Sequence, residues 1–336
     1  MKLKDIAEIA GVSVSTVSRV LNDPYSTAAS PTKQAEIWKI ARDGGYVPNE
    51  QARKLKKGEG SEEIRGTMYC LLATDSEEYR DDPFYTTLIS AIRTEALKRN
   101  YVVEYSFSEQ EREMPIKGDK AEGLIIIGRF SPDILPKLNK KYNKNIVYIG
   151  LNSIKAKCDK VFCSGYQGMR DVVKELCLCG HRNVGYIGVR NDSRLEGFSD
   201  EIKDAGINGC AENVFTKGNA LTSELGYSQM KELLKKGNIT AVVCANDITA
   251  IGALKACSEQ EIKVPEEMCI IGMDDIEMTR YVSPALSTVH VPLDEMASMA
   301  VKLLADRIEG GHHNCVEIGF PHWIVKRGSG PKKEKT

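Results

Sequence analysis

Several features are missing from this chain, and each absence narrows what it can be. No stretch approaches the roughly 20 consecutive apolar residues of a membrane-spanning helix, so no membrane association is expected. The opening MKLKDIAEIAGVS has no apolar run behind its lysines and no A-x-A cleavage pattern, so the expected location is cytoplasmic. Neither a G-x-x-x-x-G-K-[ST] nor a G-x-G-x-x-G phosphate cradle occurs, and there is no G-x-S-x-G nucleophile elbow. His181, His290, His312, His313 and His322 show no metal-ligand spacing. Cysteine is plentiful at ten, yet scattered, with no C-x-x-C pair. In a reduced compartment these thiols are expected to serve as small apolar residues, not as disulfides or zinc ligands. No catalytic residue, metal or cofactor is therefore expected.

What is present is a globular composition. The 336 residues are 42% hydrophobic and 28% charged, enough for two or three domains. A net charge of −1 hides an asymmetry. Residues 1–60 hold ten Lys and Arg against seven Asp and Glu, a net of +3, which leaves −4 on the remainder. A modestly basic front end on an acidic body fits an anionic partner at one end.

That front end reads as three short helices. In LKDIAEIA, Leu3, Ile6, Ala7 and Ala10 share one face. Gly11 stops the helix and Ser13 is placed to cap the next, VSTVSRVL, which buries Val17, Val20 and Leu21. Ser30-Pro31 is the start signal of a third helix running to about Gly44, buried through Ile37, Ile40 and Ala41. Two helices joined by a short turn containing glycine form a helix-turn-helix pattern.

The second helix then presents Val14, Ser15, Ser18 and Arg19 outward, with Thr16 at the flank. A recognition helix sets such side chains against base edges. Arg19 suits a guanine bidentately, Val14 a thymine methyl, and Ser15 either partner. Ser13, Thr16, Ser18 and Asn22 suit phosphates, which position without specifying. The competing reading is a solvated face of a small helical unit.

After Pro48, the stretch NEQARKLKKGEGSEEIR is polar and reads as a linker with a marginal helix at residues 49–56. From Gly66 apolar runs of strand length, among them GTMYCLLAT, GLIIIG, NIVYIGL, VGYIGV, AVVCAN and MCIIGM, alternate with helical patterns. Such alternation implies parallel strands covered on both faces. About 260 residues of it exceed a comfortable single core, so two α/β lobes are expected. The tail, residues 328–336, is polar and lacks leucine heptads.

LKDIAEIAGVSVSTVSRVLN followed by GYVPNEQARKL resembles the DNA-binding head and hinge of the lactose/galactose repressor family of bacterial transcription regulators. DPFYTTLISAIRTEA, SRLEGFSDEI, AVVCANDITAIGALKA and IIGMDDIEMTRYVSPALSTV extend the resemblance to the C-terminus. It implies a small all-α helix-turn-helix head (1–48), a hinge helix and linker (49–65) and a two-lobed α/β periplasmic-binding-protein-like body (66–327). The N-lobe is expected over 66–163 plus 292–316, and the C-lobe over 164–291 plus 317–327. The resemblance also implies base reading by Val14, Ser15 and Arg19, and backbone contacts from Ser13, Thr16, Ser18 and Asn22. It implies a hinge helix ordered only on operator DNA, with Ala52 lining the minor groove and Leu55 wedged between base pairs. The partners it implies are double-stranded operator DNA, a small-molecule effector and a second copy of the chain.

A neutral polyol in such a cleft needs bidentate hydrogen-bonders and an aromatic face. Arg194, Asn246 and Asp274 lie at or just after expected strand ends and match the family's effector positions, while Phe84 and Tyr85 supply the aromatic face, with Asp82 nearby. Blander roles stand beside these: Asp247 as a helix cap, Asp275 as a turn holder and Arg129 as a solvated cation. The chain also departs from the family. Gly150 replaces an aspartate common in sugar-responsive members, and Ala220 stands where some carry an indole. The linker 57–65 is long, and the crossover between YSFSEQ and EGLIII is too short for the usual helix. That crossover and the DDPFY start resemble a galactoside-responsive branch. The expected function is a homodimeric repressor released by a sugar or galactoside inducer. Its alternatives are a corepressor-dependent repressor, as in purine-responsive members, and a sugar-handling enzyme fused to a DNA-binding head. A transport-type sugar-binding protein is opposed by the head.

Overall fold

The computed structural model describes residues 3–22, 28–43, 64–73, 76–107, 121–129, 132–152, 154–207, 213–216 and 218–331. The chain divides into two compact units, Met1–Glu63 and Ile64–Thr336.

The first unit contains α1 (Leu3–Ala10), α2 (Val14–Asn22) and α3 (Pro31–Asp43). Ile6, Ala7, Ala10, Val17, Val20, Leu21, Ile37 and Ala41 close one core. Gly11 takes φ +63, a left-handed conformation that side chains resist, and so turns the chain from α1 into α2. Lys33 Nζ donates to the Ala10 carbonyl at 2.9 Å, satisfying an orphan acceptor at the end of α1 and pinning α3 to it.

The second unit holds two six-stranded sheets. The first runs β11 (Glu317–Phe320), β5 (Asp159–Cys163), β4 (Ile146–Gly150), β3 (Ala121–Gly128), β1 (Gly66–Ala73), β2 (Tyr101–Phe107), all parallel. The second runs β12 (Trp323–Val325), β10 (Ser287–His290), β9 (Cys269–Asp274), β8 (Ala241–Cys244), β6 (Val184–Ile187), β7 (Val214–Phe215). It is parallel except for the antiparallel β10–β12 pair. Every residue of β4, β8 and β9 is buried, as expected of strands with helices on both faces. Buried thiols contribute to this packing: burial pushes Cys70 and Cys163 up to about 12.

Eight α-helices among the described residues complete this unit: α4 (Ser76–Asp81), α5 (Pro83–Leu97), α6 (Leu135–Lys141), α7 (Gly165–Leu178), α8 (Ser193–Asp204), α9 (Ser223–Leu234), α10 (Asp247–Glu259) and α11 (Leu293–Ile308). None is long and apolar enough to cross a membrane. The chain passes between sheets three times: after β5, between β10 and α11, and between β11 and β12. The last crossing differs from expectation. The sequence places residues 317–327 in the second lobe as a block, whereas β11 pairs with β5 and stays in the first sheet through Phe320. A four-residue strand of mixed polarity carries no mark of its sheet. Its partner is set by the Lys160–Glu317 ion pair at 2.6 Å and by Val316 N–H donating to Asp159 Oδ1 at 2.8 Å.

Candidate DNA-binding and effector sites

In the head, Ser13 performs the capping that its position predicts. Its Oγ accepts the Thr16 N–H at 3.1 Å and lies 2.7 Å from Ser15 Oγ and 2.8 Å from Thr16 Oγ1. Val14, Ser15 and Arg19 are exposed on α2, opposite the buried Val17, Val20 and Leu21, and Thr16 is half-buried. One helix face is therefore spent on the core and the other is left for a partner. The side chains of Ser18 and Asn22, and residues Ala52 and Leu55 entirely, lie outside the described residues. So does the shortened crossover, at 108–120.

In the body, the five expected effector residues, Phe84, Tyr85, Arg194, Asn246 and Asp274, line one cavity between the two sheets. It is narrow, about 30 Å³, and is also lined by Glu78, Asp82, Arg129, Gly150, Asn152 and Leu221. Local sequence chemistry places these groups. Asp82 caps α5, its Oδ1 accepting the Phe84 N–H at 2.9 Å ahead of Pro83 at the first helical position. Asn246 caps α10 through a reciprocal capping box with Thr249. Asp192 caps α8 and grips Arg194 twice, Nε to Oδ1 at 2.8 Å and Nη2 to Oδ2 at 2.6 Å. Arg194 Nη1 donates to the Ala245 carbonyl at 2.8 Å. Phe84 and Tyr85 meet edge to face with centroids 5.3 Å apart.

The two sides of the cavity touch directly. Asn246 Nδ2 donates to Asp82 Oδ2 at 2.8 Å, Leu221 N–H to Glu78 Oε2 at 3.0 Å, and Ser223 N–H to Asp81 Oδ2 at 2.5 Å. Arg129 pairs with Glu78 at 2.6 Å and donates to the Asn219 carbonyl at 2.9 Å. Arg129 is thus no solvated cation: it bridges the cleft, and burial is outweighed by Glu78, which raises its pKa. Asp247 is not the cap either. It is wholly buried, accepting from Thr288 Oγ1 at 2.6 Å and Ile276 N–H at 3.0 Å, because Asn246 already fills the cap position. Asp275 does hold a turn, through bonds to His290 and Arg327.

Charges in the cavity sort into satisfied pairs and unsatisfied acids. Burial works to raise Asp192, but the Arg194 guanidinium holds it below the ordinary carboxylate range. Burial raises Asp82 to about 6, even though Phe84 N–H and Asn246 favour its ionised form. Asp274 is pushed well above the carboxylate range, first by burial and then by the charges of Asp82 and Asp247. Its Oδ1 is buried with no hydrogen-bond partner among the described residues. An orphan acceptor at a cavity wall is what a ligand donor satisfies. Gly150 also has a structural reason: a Cβ there would lie 2.4 Å from the Tyr148 hydroxyl, so the phenol occupies the space an aspartate would need. Ala220 is not in the lining, but its neighbour Leu221 is. Sequence reasoning did not select Glu78 and Asp192. The signal for Asp192 was available, an Asp two residues before the arginine at a helix start, whereas the six-residue polar helix of Glu78 offered none.

A family model described as bacterial regulatory proteins, lacI family, matches residues 2–49, and one described as periplasmic binding protein-like domain matches residues 173–329. The HTH-type transcriptional repressor PurR of Proteus mirabilis (strain HI4320) is 30% identical over 347 residues, spanning 97% of this chain and 96% of that protein. The chain belongs to the lacI family of bacterial regulators. The lacI-type fold extends to solved structures. The transcriptional regulator CelR in complex with cellobiose superposes with a TM-score of 0.71 at 23% identity, over 98% of this chain and 100% of that one. The lac repressor dimer bound to operator and the anti-inducer ONPF gives 0.67 at 22%, over 98% of each chain. As a lacI-family member the chain is a helix-turn-helix, DNA-binding transcriptional repressor under the control of an effector.

Proposed function

We propose that the head reads an operator through Val14, Ser15 and Arg19, with Ser13, Thr16, Ser18 and Asn22 on the phosphates. Ala52 and Leu55 enter the minor groove of a bent operator as a hinge. The effector sits between Phe84, Tyr85, Arg194, Asn246 and Asp274. It is a neutral sugar, a galactoside fitting the DDPFY branch, and it acts as inducer.

The observation that carries this reading is the convergence of those five residues on one cavity whose Asp274 Oδ1 lacks a donor. Charge favours neutrality. Both cavity arginines are matched by Glu78 and Asp192, so no unpaired cation is left among the described residues of the cavity to hold an anion, and the raised Asp274 carboxyl presents a neutral group there. The cellobiose complex of CelR supports a sugar as the ligand class, and the lac repressor dimer on operator supports a homodimer of this chain. Exposed Leu97, Met278 and Tyr281 are available to a second copy. No catalytic role is proposed for any residue, and the site of action is the cytoplasm, where the operator is.

The test is a thermal-shift panel of lactose, galactose, cellobiose, nucleobases and sugar phosphates, repeated with operator DNA. A neutral sugar that stabilises the free protein and weakens DNA binding supports the proposal. A ligand that tightens DNA binding is the corepressor outcome, and a preference for sugar phosphates contradicts the charge argument.

A further inference from the structure

Strand β9 ends at Asp274 and is followed by Asp275, and both backbones lie at positive φ, Asp274 at +119 and Asp275 at +59. Such conformations cost roughly 1–3 kcal/mol each and persist only where the surroundings fix them. Here they are fixed. Asp247 accepts from both Thr288 Oγ1 and Ile276 N–H, and Asp275 N–H donates to the same Thr288 hydroxyl at 3.3 Å. Asp274 lines the cavity; Asp275 does not.

Asp275 reaches instead to the strands on which the chain changes sheets. Its Oδ2 lies 2.8 Å from His290 Nδ1, and its Oδ1 accepts from Arg327 Nη2 at 2.5 Å. His290 ends β10 and Trp323 begins β12, and the two are cross-strand partners. Their rings stack with centroids 4.1 Å apart at 24°. The chain leaves the second sheet just beyond His290 and re-enters it just before Trp323. Asp275 therefore holds one crossing directly, at His290, and reaches the other through the His290 ring on Trp323 and through Arg327, two residues past the end of β12.

We propose that Asp275, His290 and Trp323 are positioning residues that form a clasp on the hinge, through which the state of the Asp274 turn sets the closure of the two sheets. A ligand donor on Asp274 alters the turn, the turn shifts Asp275, and Asp275 carries the change to both crossing strands. The turn qualifies as a switching element because its backbone is strained and held from several sides. The inference rests on the cavity being the effector site, but its test uses no effector, so the two fail separately.

Closure can be read from the amides of Leu221 and Ser223, which donate across the cleft to Glu78 and Asp81. Hydrogen exchange at these amides is compared in the full-length wild type, Asp275→Asn and Trp323→Leu. Trp323 is half exposed, so its substitution tests the clasp even if Asp275→Asn fails to fold. The expected result is exchange roughly 5-fold or more faster at Leu221 and Ser223, with β3 and β8 protected as in wild type. Unchanged exchange at the two amides, or acceleration spread evenly through β8 and β9, overturns the proposal.

Discussion

Asp274→Asn should make the free protein more stable while removing its effector response. The carboxyl is buried, its Oδ1 has no partner among the described residues, and Asp82 and Asp247 repel its charge. Asparagine has nearly the same shape and no charge to desolvate. Each unit by which the site raises the carboxyl's pKa costs about 1.4 kcal/mol at neutral pH, and the variant escapes that cost. The sign follows from linkage. A carboxyl raised in the folded state binds its proton there while the unfolded chain has released it. The cost therefore appears as pH climbs above about 4, the unfolded value, and is absent below it. Urea denaturation of both proteins at neutral pH and again below about pH 4 tests this. The variant's advantage should shrink to near zero on acidification. A variant less stable than wild type at neutral pH, or an advantage independent of pH, would refute the reasoning.

Arg194→Ala should destabilise the body by about 3–5 kcal/mol in the same assay, because it strands the fully buried Asp192 carboxylate, and a loss below about 1 kcal/mol would contradict the pairing. Asp82, raised by burial to about 6, should make stability fall as pH rises from about 4 to about 6, by roughly 3 kcal/mol, and Asp82→Asn should flatten that slope. Gly150→Asp, which restores the family's common residue, should destabilise the protein through the Tyr148 hydroxyl; full stability in thermal melts would show that the phenol yields. Arg19→Ala should relax sequence preference more than salt-dependent binding to random duplex, and equal losses on both count against a base contact.

Much of this architecture could be read from the residues. The head declared itself because each signal agreed: the apolar face of α1, Gly11 at the turn, Ser13 as cap, and Ser30-Pro31 opening α3. The uniformly apolar runs of β1, β3, β4, β8 and β9 were equally legible. The strands without such a run were not. β5, β10 and β11 run four or five residues with charged or polar members, β12 has only three residues, and their pairing is decided by the surrounding sheet. Helix α8, reading SRLEGFSDEIKD, is polar and contains a glycine, which suits it to lie tightly against α7 but hides its period. In the cavity, residue types announced Arg194, Asn246 and Asp274. What could not be read was who neutralises whom. Asp192 claims Arg194, and Glu78 claims Arg129 from more than fifty positions earlier. Such pairings exist only after the sheets are assembled.

The most direct test is to titrate the full-length protein onto its operator duplex with and without the sugar that stabilises it best. A coupling of about 1–3 kcal/mol predicts an affinity lowered from several-fold to over a hundred-fold when the cleft is filled. In Asp274→Asn the two curves should superimpose. Identical wild-type affinities at saturating sugar would contradict the account.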